Sequence, residues 1–140
     1  MDGNLKSFLD KRRVSIEKIK ELIKKNGDLI KEITPRNYSD DADLANVISN
    51  IRDTNFVNQN LKRLANERYK TVIILEATDG KCPFCGKELS EEEIDLVKEL
   101  NLPCCKSCGA KRDKKRYPTI SAFLDKIIAD KGISYKPLFS

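Results

Sequence analysis

Four of the five cysteines in this 140-residue chain form two matched pairs. They stand in KCPFCGK at 81–87 and CCKSCGAK at 104–111. Two residues separate Cys82 from Cys85 and Cys105 from Cys108, and a glycine follows each pair. A two-residue spacer lets both sulfurs converge on one point. Gly86 and Gly109 would let the backbone turn so that its N–H groups face the thiolates. With 19 residues between the pairs, the pattern matches four-thiolate zinc sites. The expected cofactor is one structural Zn2+ held by Cys82, Cys85, Cys105 and Cys108. Four sulfurs leave no open position for water, so the ion would supply folding energy rather than catalysis. Iron fits the same cage less well, and disulfides would need an oxidising compartment. Cys104 either replaces Cys105 or is a buried bystander. The repeated spacing favours Cys105.

A second concentration of chemistry follows directly. Lys106, Lys111, Arg112, Lys114, Lys115 and Arg116 crowd eleven residues with a single acid, Asp113, and Tyr117 comes next. Such a run can contact phosphates without reading sequence and in a salt-sensitive way. The plain alternatives are a solvated loop or a nuclear address. The net charge of +5 is uneven: residues 71–103 carry −5, and residues 104–140 carry +6. The acidic stretch Glu88 to Glu99 would repel nucleic acid and favour a protein partner. Histidine is absent, which excludes Ser-His-Asp and Cys-His catalysis, zinc proteases of the HExxH kind and any histidine general base.

The elements that must position these groups are mostly helical. Residues 4–33 carry Leu5, Leu9, Ile16, Ile19, Ile23, Ile30 and Ile33 at heptad spacing, with Arg12 and Asn26 at the interrupted positions. Gly27 is a candidate bend or end, and Pro35 the outer limit. After a polar turn at 36–43, with Ser39 or Asp40 as N-cap, a second helix is expected from Asp41 to Tyr69. Its stripe is Leu44, Val47, Ile48, Ile51, Leu61, Leu64 and Ala65. The short connection predicts an antiparallel hairpin, although the long seam could also pair with a second copy. TVIILEA, Thr71 to Ala77, is the best strand candidate, and Asp79-Gly80 marks a turn. Ser90 and Glu93 form a capping box for a helix over 91–100. A last helix runs from Thr119 to Lys131 with Ile120, Phe123, Leu124, Ile127 and Ile128 on its face, and Gly132 stops it. The tail ISYKPLFS has enough apolar residues to dock.

The stretches IILEATDGKCPFCGKEL and NLPCCKSCGAKRDKKRYPTISAFLDKI resemble the opening and the close of His-Asn-His (HNH) nucleases that carry a zinc-knuckle pair. The resemblance covers residues 73–128. It implies a treble-clef frame and, in the complete family, an Asp-His pair between the knuckles. Here Asp95 stands at the Asp and Leu96 at the His. Asn101 could match the Asn before the second pair, and Gly109 replaces the Asn that often follows it. The doubled knuckles equally resemble the zinc ribbons of transcription and replication proteins.

The combined expectation is a mainly α chain with a small zinc module (α+β). It comprises an N-terminal helical hairpin with a coiled-coil-like seam over 1–70, then a zinc module over 71–140. That module would have one or two short strands, two knuckles and a C-terminal helix. The functional expectation is a non-enzymatic, nucleic-acid-associated zinc protein. The alternatives are a zinc-stapled protein-interaction adaptor and a divergent HNH-type endonuclease. No membrane span or signal peptide is evident. The expected setting is cytoplasmic, or nuclear in a eukaryote, with no small-molecule substrate.

Overall fold

An apolar stripe must be covered, and helix α1 (Gly3–Ile33) covers its stripe with helix α2 (Asp41–Ala77). The computed structural model describes residues 3–33 and 41–139. Expectations for Pro35, Ser39 and Asp40 lie outside these residues, as do the side chains of Ile33, Leu44 and Val47. The two helices run antiparallel. Arg13 meets Glu76, Arg68 donates to Ser15, and Asn26 donates to Asn58, so rising numbers on α1 pair with falling numbers on α2.

Both interruptions of the seam make hydrogen bonds. Arg12 is buried, donates from Nη2 to the Val97 carbonyl at 2.8 Å and stacks over the Phe8 ring. Burial, reinforced by nearby Arg68 and opposed by Glu67, lowers its pKa to about 10, so it stays charged at neutral pH. Asn26 pairs with Asn58 at 2.9 Å, and Asn58 donates in turn to the Ile23 carbonyl. Such polar pairs pin register where apolar contacts alone would allow sliding. Gly27 does not break α1, which continues through it.

The strand expected over Thr71–Ala77 is instead the C-terminal end of α2, which passes Tyr69 without a break. Val72, Ile74 and Leu75 are fully buried and Ile73 packs against the same core. A helix that is apolar on all sides is one surrounded by protein. Burial worth roughly 1.5–3 kcal/mol per side chain outweighs the few tenths of a kcal/mol that each β-branched residue costs a helix. The hydroxyls of Thr71 and Thr78 bond back to the carbonyls of Arg68 and Ile74. Among the described residues, the expected short strands reduce to one isolated antiparallel bridge, Lys81 with Glu88.

Helix α2 ends at Asp79 and Gly80, both in the left-handed region. The Gly80 N–H closes the end on the Leu75 carbonyl. A Cβ at Gly80 would lie 2.4 Å from Leu5 Cδ2, so glycine is required by packing as well as by φ. Beyond the first cysteine pair come α3 (Glu91–Leu100), the short α4 (Lys106–Ala110) and α5 (Ile120–Asp130). Ser90 and Glu93 form the expected capping box. Thr119 caps α5, whose residues Phe123, Leu124, Ile127 and Ile128 are buried.

One core joins Leu5, Phe8 and Leu9 of α1, the end of α2, Cys82, Cys104, Cys105, Val97 and the inner face of α5. Buried Lys70 ties α2 to α5 through Asp125 and Ser121 at 2.8 and 2.9 Å. The tail docks as expected: Asn66 accepts from the N–H groups of Leu138 and Phe139 and donates to the Phe139 carbonyl. No helix among the described residues is long and apolar enough to cross a membrane.

Candidate metal centre

The two cysteine pairs reach their meeting point by different local structures. The first pair sits in a tight turn. The Cys82 N–H donates to the Lys87 carbonyl at 2.7 Å, and the Gly86 N–H donates to the Cys82 carbonyl at 2.9 Å. Gly86 adopts φ +75°, which closes that turn. The second pair opens a helix. Cys105 is the N-cap of α4, and its sulfur accepts the Cys108 N–H at 3.4 Å. Gly109 therefore does not turn the chain as Gly86 does. It is helical, and its missing side chain makes room for Cys104, whose sulfur would lie 3.3 Å from a Cβ there.

The sulfurs of Cys82, Cys85, Cys105 and Cys108 all lie within 4.8 Å of one another and could hold a metal ion. The Cys85 and Cys105 sulfurs are 3.8 Å apart. Zinc–sulfur bonds of about 2.3 Å in a tetrahedron require about 3.8 Å between sulfurs, so the donor set suits such an ion. The foursome contains Cys105, and Cys104 stands apart from it, buried beside Leu102 and Gly109. None of the five cysteines is in a disulfide.

The sulfurs differ in how readily they shed protons. Burial pushes the Cys82 thiol up, but the N–H groups of Cys105, Cys85 and Phe84 and the Cys85 thiol outweigh it, and its pKa falls to about 7. Cys108 is raised, first by sharing a proton with Cys105 and then by burial. Cys104 is pushed up to about 12, by burial first and then by the negative groups around it. Its burial disfavours the thiolate that a metal would require.

A buried carboxylate braces the two halves. Glu93 Oε1 accepts the Ser90 N–H at 3.1 Å, and Oε2 accepts the Lys106 N–H at 2.7 Å. One side chain thus caps α3 and fixes the residue that follows Cys105. Burial raises its pKa, but the two N–H groups, the Ser90 hydroxyl and Lys87 overcome that and hold it below the usual 4.5. The sequence marks Glu93 as part of a capping box. Its second contact, thirteen residues away, has no local signal.

The basic residues divide into groups. Lys106 pairs with Glu92. Lys111 caps the C-terminus of α4, and Arg112 is half-buried with one guanidinium nitrogen turned inward. Lys114, Lys115 and Arg116 are exposed on a turn built by Asp113, whose Oδ1 accepts the N–H groups of Lys115 and Arg116. Lys111, Arg112 and Arg116 line one groove with Phe84, Tyr117 and Phe123. Lys106, Arg112 and Lys114 line a neighbouring one. Glu88, Glu91 and Asp95 line a different concavity, against Leu5, Phe8 and Lys11 of α1. Asp95 pairs with Lys98 at 3.5 Å. The chain matches no protein-family model, no curated protein and no solved structure.

Proposed function

We propose that this chain is a non-enzymatic zinc protein associated with nucleic acid, in which the metal holds a basic turn against a helical hairpin. The observation that carries the reading is the turn at 111–117. Asp113 spends its acceptor oxygen on the backbone of the turn. Among the described residues, Lys111, Lys114 and Lys115 have no carboxylate partner, so their charges remain available to phosphates. The acidic stretch that argues against nucleic acid is partly consumed. Glu93 is buried, Glu92 pairs with Lys106 and Asp95 with Lys98, while Glu88 and Glu91 line the α1 side.

Zn2+ at Cys82, Cys85, Cys105 and Cys108 would join the turn to the start of α4 and supply a rigid tetrahedral junction. The asymmetry of the pairs, one in a tight turn and one at a helix N-terminus, favours a treble clef over a ribbon. The endonuclease alternative has little behind it. Asp95 is an exposed α3 residue in a chain without histidine. The adaptor alternative draws on one specific observation, the exposed apolar side chains Leu22, Leu29, Ile48, Phe56 and Val57 on the hairpin.

Binding to short duplex and single strands at rising salt tests the proposal. Changing Lys111, Arg112, Lys114, Lys115 and Arg116 together to Ala should weaken binding at least tenfold at low salt. It should also flatten the dependence of log K on log salt, whose slope is about −0.9 per phosphate contact on duplex. Binding that ignores these changes would sink the reading.

A further inference from the structure

We infer that the groove beside the metal centre seats an unpaired nucleobase, with the Phe84 ring as its stacking platform, so that the chain prefers single strands over duplex. The inference rests on the phosphate-contact reading above and adds the base to it. Phe84 occupies the turn between Cys82 and Cys85, is 44% exposed, and lines a groove whose other residues are mostly charged. Its ring is held flat. It stacks on Phe123 with centroids 5.6 Å apart and planes 20° from parallel, and Tyr117 tilts against the same core ring at 6.2 Å. Phe123 belongs to buried α5, so the exposed ring has a rigid footing.

Cations share the groove with this platform. The Arg116 guanidinium and the Lys126 ammonium lie 5.6 and 5.7 Å from the Tyr117 ring centre. Lys111 lines the same groove, of about 360 Å³. That volume sits at the lower end of small-ligand clefts, about 300–1,000 Å³, and suits one planar group with its phosphate. Lys126 is paired with Asp130, which leaves Lys111 and Arg116 as the principal phosphate donors.

An aromatic ring flanked by cations is the element that single-strand binders use, because every base has a face to stack and every linkage a charge. A base inside a duplex has both faces covered by its neighbours, so the ring can engage only an unpaired one.

The test uses the full zinc-loaded chain and three probes: a short thymidine oligonucleotide, an abasic oligomer with the same number of phosphates, and a duplex of equal length. The thymidine strand should bind more tightly than the abasic one. Phe84→Ala should reduce thymidine affinity roughly 5- to 150-fold, the range of one base–aromatic stack. It should leave abasic and duplex binding and the salt slope unchanged, and Phe84→Trp should restore affinity. Equal affinity of the unaltered chain for the thymidine and abasic strands overturns the inference, whether or not Phe84→Ala folds. Salt-sensitive binding to all three probes that ignores Phe84 removes the base platform and leaves the phosphate reading standing. No binding to any probe at low salt removes both. Preference for an acidic peptide over all three probes would place a protein partner in the groove.

Discussion

The two ends of the helical hairpin have similar aliphatic content and opposite fates. Near the cysteines, Leu5, Leu9, Val72, Ile74 and Leu75 are at most 4% exposed. Toward the far end, Leu22, Leu29, Ile48, Phe56 and Val57 are 45–68% exposed. The difference is a third layer. The cysteine loops, α3, α5 and the tail close over one end, while beyond it, among the described residues, α1 and α2 pack mainly on each other. There the polar pair Asn26–Asn58 stands where the other end has a dense core. A heptad stripe therefore says which residues favour burial, while the cysteine-bearing third layer decides where burial is complete.

Removing the metal should break this contrast most severely. If Zn2+ organises the third layer, chelation at neutral pH should cost about 5 kcal/mol or more, given the large folding contribution of structural zinc. It should lower the melting midpoint by about 15 °C or more. A circular-dichroism melt that is unchanged by chelator would show that the four thiols hold no folding metal. Next in size is Leu124→Ala, at a fully buried α5 position. The lost contacts and the residual cavity should cost about 2–5 kcal/mol in urea denaturation.

Glu93 sharpens the comparison within the module. Glu93→Ala takes the acceptor from the N–H groups of Ser90 and Lys106 and should cost about 2–4 kcal/mol, at roughly 1–2 kcal/mol for each hydrogen bond to the charged carboxylate that is lost. Its pH signature has a definite sign. A carboxyl whose pKa is lowered on folding stabilises above its unfolded value, and that contribution fades as pH falls through the folded one. The native chain should therefore lose stability faster than Glu93→Gln as pH drops below the usual 4.5. Both carry the same four cysteines, so any loss of a bound metal in acid would be common to them, and parallel melting curves would refute the brace. The smallest effect belongs to the far end. Phe56→Ser, at a side chain 68% exposed, should change stability by no more than about 0.5 kcal/mol. A loss of several kcal/mol, or one that depends on protein concentration, would mean that the far end is covered in solution.

What the sequence discloses follows the range of the interactions. The cysteine pairs and the Ser90–Glu93 box are local patterns a few residues long, and each stands where its spacing places it. TVIILEA was misleading because a run of buried residues has no period. Its helical state depends on α1, α5 and the cysteine loops surrounding it. Helix α4 was hidden because five residues with a glycine carry no helical signal of their own. The roles of Gly109 and Phe84 emerge only when Cys104 and Phe123 are brought against them from elsewhere in the chain.

The Arg12–Val97 bond has a consequence for how the chain is made. Its partners are 85 residues apart. At ribosomal rates of about 5–20 residues per second, Arg12 emerges roughly 4–17 s before its acceptor exists. Through that interval α1 has a guanidinium on the face it must later bury, and that charge keeps the young helix hydrated and discourages it from seating early on the wrong surface. The residue that interrupts the seam in the finished fold thus gains its carbonyl partner only once α3 has been made.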